Sequence, residues 1–550
     1  CWGRLDTLDT GLHCTTVPDK FHCSASHRQH CSTLQTMHDP TTQQSKASSA
    51  PMSTVQSSSI LPRFVKRLEY ETLKDDKTQG PERSIFAWSN VALPASYFLV
   101  GFSDLLLTPM SVYMVNEMGA EPWQQTTISV ISQLPWSFKV LYGFWSDVAP
   151  LGGLHRKPYF LLGYVLQTFC FLYLALLAWE GALTFPALAA LVFLYTFGQI
   201  MADVMADTLV VEHSQATEAG AAKGQVQATC YAVRFLGSIL GNLGGTCLYN
   251  KQSWGWGMTF WQICLLLGLL PPLLLFPAAP ALWERRGKPV RPVPDQVRDI
   301  WDMCQQKAVW KPMAFVYLYN IFQVPCAAWQ SFLQLGLGFP AWRLGLLSTA
   351  GAAMTFVGIL AFKKFFFQSS WRSLYLWTTA LVASFSLAQI ALVTRFNATV
   401  LHVSDFWFSM GDDVLANYVT GVQWLPVCIM YIQLCPAGSE GASYALLTTY
   451  GNVAGAVSSA LAGVLAGIWD VTNSAMAAHQ YSGLLNLTIL TSILGPMPLL
   501  ILWLLPKSSE EARKLRDSKK KSKLGGFMFL LVLLLSLMYT TWDCLSAMFE

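Results

Sequence analysis

From residue 91 onward the chain alternates long apolar runs with short polar stretches. A helix needs about 20 apolar residues to cross the hydrocarbon core of a bilayer, and only helices or closed barrels satisfy their backbone there. Runs of this length fall near 91–115, 124–147, 158–178, 184–207, 224–249 and 257–281. A second set falls near 311–334, 343–367, 373–396, 414–435, 441–468 and 482–506. All are too long for barrel strands. They predict an all-α membrane protein of 12 transmembrane helices in two six-helix halves, the layout of transporters built from repeated halves.

The same pattern divides the chain. A tail over 1–85 precedes a first half over 86–281, a central loop over 282–310 and a second half over 311–506. Residues 507–550 form a basic tail with a short apolar segment, 527–541. That segment falls short of the ~17-residue minimum for a span, so it is expected to lie at the interface or to re-enter rather than cross.

Composition agrees. Hydrophobic residues make up 53% of the chain, charged residues 12%, and mean hydropathy is +0.38. A soluble domain carries roughly 25% charged residues. The net charge of +4 is too small and dispersed to point to nucleic acid. Thirteen cysteines form no C-x-x-C pair, and those such as Cys170, Cys264 and Cys428 sit in apolar runs, where cysteine acts as a small hydrophobe. Residues 1–60, rich in Ser, Thr, Gln and His, are expected to be disordered. The chain opens on Cys1, which suggests a fragment or an extended gene reading. His13-Cys14, His22-Cys23 and His30-Cys31 recur in this tail, but structural zinc sites use tighter cysteine spacing, and no metal or cofactor is expected.

Lys and Arg in short loops set the orientation. With a cytosolic N-terminus, the inner loops hold Arg156, Lys157, Lys223, the 285–298 cluster, Lys363, Lys364, Arg372 and the Lys507–Lys523 tail. The outer loops hold little beyond Lys251, Arg343 and Arg395, and the sequon Asn397-Ala-Thr399 falls outside. The plasma membrane is the expected location, with a plastid membrane as the alternative. Lysines 519–521 and 523 are suited to anionic headgroups.

Charges within hydrocarbon are costly and usually face a cavity or a partner. Gln199, Asp203 and Asp207 recur every four residues on one face of the fourth span. Gln227, Arg234, Ser238 and Asn242 share a face of the fifth, while Ser132 and Lys139 lie seven apart in the second. Asn320, Gln323, Gln330 and Gln334 fall on one side of the seventh, and the first carries Asp104. Stripes from both halves imply a shared polar chamber. Each has a plainer reading as well: Asp207 near loop cations, Asp203 in a structural ion pair, Lys139 snorkelling, the amides as interhelical glue.

Gly143-x-x-x-Asp147 followed by Arg156 and Lys157 places an acid at a helix end facing an Arg one loop away. That arrangement can latch one side of the bundle, and it resembles the loop motif of the major facilitator superfamily. The matching loop of the second half, near Lys363 and Lys364, has no acid.

Several stretches together resemble the folate–biopterin transporter family, a branch of that superfamily. They are Leu134-Pro-Trp-Ser-Phe-Lys139 into Gly143-Phe-Trp-Ser-Asp147, Arg156-Lys-Pro-Tyr159 and Ala202-Asp203-Val-Met-Ala-Asp207. Gly411-Asp412 with Pro426, Cys435-Pro-Ala-Gly438-Ser-Glu440-Gly441, and Tyr444 to Leu447 leading to Asn452 complete the set. The similarity covers roughly 90–506 and departs from the family at Ser439 and Tyr450-Gly451. The resemblance implies transport of folates or pterins driven by a proton gradient. A pterin's amino–oxo edge suits a carboxylate such as Asp203 or Asp104, and a folate tail suits Arg234 or Lys139. Asp203 and Asp207 are the candidates for the coupled proton, and Glu440 is assigned to capping the eleventh helix at the gate. A carrier of another polar solute such as a sugar, or a non-transporting receptor, are the alternatives. No H-E-x-x-H, G-x-S-x-G or G-x-x-x-x-G-K-[ST] pattern supports an enzyme.

Overall fold

The computed structural model describes residues 84–217, 225–284, 292–434 and 440–549. The His/Cys pairs of the tail, Lys223, the Arg285–Arg291 part of the basic cluster and Cys435–Ser439 lie outside the described residues.

In the first half, α1 (Ala92–Glu117) is a helical rod, α2 (Pro122–Gln133) and α3 (Lys139–Val148) form a bent pair, and α4 is Lys157–Glu180. They are followed by α5 (Phe185–Thr217), α6 (Gln225–Leu248) and α7 (Phe260–Leu274). The amphipathic α8 (Val293–Cys304) lies in the central segment. The second half holds α9 (Lys307–Phe322), α10 (Ala341–Ala361), α11 (Trp371–Val393), α12 (Asp405–Leu434), α13 (Glu440–Ala466) and α14 (Ser482–Leu494). A short α15 (Ser509–Asp517) leads to α16 (Lys523–Phe549). Among the described residues, seven helical stretches are long and apolar enough to cross a membrane, Lys523–Ser546 of α16 among them.

That helix is longer than the apolar segment at 527–541 suggests. Gly525 and Gly526 precede the run and Thr540 stands near its end, but Thr540 turns its hydroxyl back onto the Ser536 carbonyl at 2.9 Å, so the helix continues through polar positions. Hydropathy alone could not register that.

Local signals set several helix ends. Glu121 and Gln124 form a capping box around Pro122 at the start of α2, Thr259 and Gln262 do the same for α7, and Gly181 at φ 67° ends α4. Apolar packing gathers into separate clusters at the two ends of each half. Phe160, Met205 and Leu282 belong to one in the first half, and Ile131, Phe171 and Ile263 to the other.

Between these clusters the helices are irregular. Residues 103–106 and 134–138 are 3-10 turns, and the seventh span is interrupted outright at 323–328, around Pro325. Non-helical backbone at membrane depth is tolerated only where protein or a wet cavity satisfies it. Here α13 supplies much of that. Asn452 Nδ2 donates to the Trp136 carbonyl at 3.0 Å, the Val140 amide donates to Thr449 Oγ1 at 3.4 Å, and Ser458 Oγ donates to the Gln323 carbonyl at 3.0 Å.

The halves meet along two seams, α2 and α3 against α13, and α6 against α10. Close approach on α6 relies on Gly237, Gly241 and Gly245, spaced as small-xxx-small. A Cβ on these three would lie 2.5, 2.7 and 2.7 Å from carbonyl oxygens of α1.

Candidate functional site

A cavity of about 830 Å³ lies between the halves. Asp104 of α1, Gln133 and Trp136 of the bent second span, Gln199 of α5, and Arg234 and Ser238 of α6 line its first-half wall. Trp329 and Gln330 beside the break, Ser348 of α10 and Asn417 of α12 face them. A second cavity of about 520 Å³ shares Gln125, Ser129, Gln133, Trp329 and Gln330 with the first. Its remaining described lining, Gln323 and Gln389 included, contains no charged residue.

The polar stripe of α6 ties the site together. Arg234 and Ser238 are four residues apart and so share one helix face. Arg234 Nη1 donates to Asp203 Oδ1 of α5 at 3.1 Å, while Ser238 Oγ donates to Asp104 Oδ2 of α1. Lys139 Nζ holds the other Asp203 oxygen at 2.9 Å and lies 3.9 Å from Asp207 Oδ2. Tyr97 donates its hydroxyl to Asp207. Trp136 lies under both cations, with Lys139 Nζ 4.7 Å and the Arg234 guanidinium 5.3 Å from its ring centroid. Cation–π contact of this kind strengthens as the cation is desolvated.

The structure therefore brings Lys139, Asp203, Asp207 and Arg234 into one network, with Asp203 at its centre and 1% exposed. Of these only Arg234 reaches the cavity wall, so Asp203, Lys139 and Asp207 sit behind it. Asp104 stands apart. It lines the cavity with a serine partner and no ion pair within 4 Å among the described residues. Gln330 lines both cavities, and Gln323 lines the second while donating to the Gly495 carbonyl at 3.0 Å. Asn320 lines neither, and Gln334 bonds Ser111 across the seam at 3.0 Å. The amide stripe drawn on a continuous seventh helix is thus split by the 323–328 break, which redirects everything beyond Phe322.

At one end of the bundle, Arg156 pairs with Asp147 and also bonds Ser146 and the Gly143 carbonyl. Lys157 does not join that pair. Its ammonium donates to the Pro280 carbonyl at 2.6 Å. Glu284, which carried no weight in the sequence, accepts the amides of His155, Arg156 and Lys157 at 2.8, 2.8 and 2.9 Å. An acid there meets the positive end of α4. Glu440 opens α13, but its side chain lies outside the described residues. Asn397 of the sequon is fully buried, with its amide on Asp405 at 2.8 Å, so it is not presented for modification in this arrangement. Tyr97 and Trp136 were not named as site residues in the sequence, whereas Ser238 was part of the fifth-span stripe. Trp136 lay in a motif already singled out, while Tyr97 carried no signal.

Comparison with known proteins places the molecule. The BT1 family model matches residues 100–524. The chain is 26% identical over 428 residues to the folate-biopterin transporter of Synechocystis sp., covering 78% of this chain and 83% of that one. It is 24% identical over 412 residues to probable folate-biopterin transporter 2 of Arabidopsis thaliana, covering 74% and 80%. With folate transporter 1 of Plasmodium falciparum it shares 23% over 444 residues, covering 80% and 83%. Among solved structures, a bacterial homolog of the human lysosomal transporter Spinster, inward-facing and occupied, aligns with a TM-score of 0.54 at 12% identity, over 78% of this chain and 97% of that one. A D-xylose–proton symporter aligns with a TM-score of 0.54 at 13% identity, over 78% and 99%. The chain belongs to the BT1 family: it is an integral membrane transporter rather than an enzyme, built on a major-facilitator-type helical bundle.

Proposed function

We propose that this protein moves a folate- or pterin-type solute across the membrane by alternating access of the central cavity, driven by a proton gradient. One observation carries this reading: a carboxylate without an ion-pair partner, Asp104, and a guanidinium, Arg234, line one chamber between two helical halves. The relatives' names supply the substrate class, and the chemistry suits it. A pterin's adjacent amino and ring N–H donors can engage both oxygens of Asp104, and its flat ring can pack on Trp136 or Trp329. Arg234 is then the cavity's contact for an anionic tail, with Gln330 and Gln323 along the way into the second chamber.

Charge count supports coupling. Lys139 and Arg234 stand against Asp104, Asp203 and Asp207, two cations to three carboxylates. Asp203 holds both cations, so the surplus acid falls to Asp104 or Asp207. An anionic solute entering such a site needs a proton there to offset the added negative charge. The Asp147–Arg156 pair, with Gly143, Lys157 and the start of α13 at Glu440, forms the gate at that end. By the distribution of Lys and Arg this is the cytosolic end, with the N-terminus on the same side and the plasma membrane as the site of action. The two halves, 86–281 and 311–506, are the bodies that move.

Uptake of radiolabelled folate and biopterin into proteoliposomes at two external pH values tests the proposal. Uptake is expected to rise in acid and to fall at least about tenfold in Asp104→Asn, the loss that one charged contact commonly brings. Saturable binding without accumulation would mean a receptor. Transport of sugars with indifference to pteridines would leave only the fold.

A further inference from the structure

The helix at the C-terminal end of the described chain has no place in a scheme of two six-helix halves. α16 is 27 residues long, and the family match stops at residue 524, just as the helix begins. It packs along α9 and α13 of the second half and also along α2 and α5 of the first, and so lies over one of the two seams.

Its attachments change along its length. At its root, Lys521 pairs with Asp302 of α8 at 3.1 Å, the Ser522 amide donates to the Gln305 carbonyl at 2.7 Å, and the Lys307 amide donates to the Lys520 carbonyl at 2.9 Å. In its first half, Phe529 stacks on Tyr450 of α13 with centroids 4.2 Å apart, and Ser536 bonds Tyr317 of α9. Towards its end, Cys544 is 3% exposed within the apolar cluster that holds Ile128 of α2 and Leu188 of α5. The helix is therefore fastened to the second half near its start and to the first half near its end.

Contacts join the two halves on either side of the cavity in this arrangement. Gln125 Nε2 reaches Ser331 at 2.8 Å and the Asn473 amide reaches Glu121 at 2.8 Å on one side; on the other, Asn452 reaches the Trp136 carbonyl and Tyr231 packs edge-on to Trp424 at 6.1 Å. Halves that rock apart on either side must slide against any element bound to both. Interactions present in this arrangement and lost on the way out of it slow the step that loses them.

We propose that α16 is a strap across the seam that stabilises this arrangement of the two halves and limits the rate of transport. Two variants outside the cavity test it: Phe529→Ala, which removes the stack on Tyr450, and truncation after Ser522. Two readouts are taken, the initial rate of biopterin uptake at saturation and the rate at which a maleimide labels Ser132→Cys in the cavity wall. The second does not depend on the solute, so it still decides if pteridines are not carried. Phe529→Ala is expected to raise both rates by about two- to tenfold, the span that one aromatic pair can supply, and truncation by at least as much. If the truncated chain fails to fold in detergent, Phe529→Ala decides alone. Unchanged or slower rates in folded variants overturn the proposal.

Discussion

At the residue scale, the two acids put forward for the solute separate by their surroundings. Asp203 is 1% exposed and holds two cations that are themselves only 13% and 18% exposed. Removing one partner from a buried ionic network leaves charge uncompensated at a cost of about 3–5 kcal/mol. Asp203→Asn is therefore expected to lower the thermal unfolding midpoint in detergent and to lose transport with it. Asp104, hydrogen-bonded by Ser238 and Asn242 and with no ion pair within 4 Å among the described residues, holds no such network. Asp104→Asn should keep the midpoint within a degree or two and lose transport all the same, and equal destabilisation by both would remove the distinction. The stripes on the fourth and fifth spans were legible because four-residue spacing on a helix fixes a face. Which acid faces the cavity was not, because that depends on how α5 and α6 are rotated against α1, and no local pattern encodes rotation.

At the scale of elements, the approach of α6 to α1 decides that rotation. Gly237, Gly241 and Gly245 let the two backbones touch, and the same turns of α6 present Arg234 and Ser238 to the acids. Gly237→Val would press a branched side chain onto the Phe98 carbonyl. Overpacking of this kind costs about 1–3 kcal/mol, and the added separation would pull Ser238 from Asp104. The expected outcome is reduced pteridine affinity together with a lowered unfolding midpoint, checked by binding and melting on the same preparation. Normal affinity would mean that the crossing does not set the site. The glycine spacing was open to reading from the chain. The break at 323–328 was much less so, since Pro325 signals a disturbance but not its extent, and the groups that satisfy the freed carbonyls come from α13, more than a hundred residues on.

For the whole molecule, sidedness rests on α16. The first twelve apolar runs return the chain to the end of the bundle where it began, and the link to α8 shows that α16 starts at that same end. A helix of 27 residues rises about 40 Å at 1.5 Å per residue. That exceeds the hydrocarbon core of about 30 Å, and Cys544 duly packs among residues at the opposite end of the first half. The twelve-helix expectation, drawn from a six-plus-six pattern, counts an even number of crossings and puts both termini on one side. A crossing α16 would part them. An epitope placed before Ile85 is expected to be reached by antibody only after permeabilisation, and one placed after Phe549 to be reached on intact cells. Labelling of both only after permeabilisation would put α16 back at the interface and remove the strap with it, because a helix that does not cross cannot grip the first half at its far end.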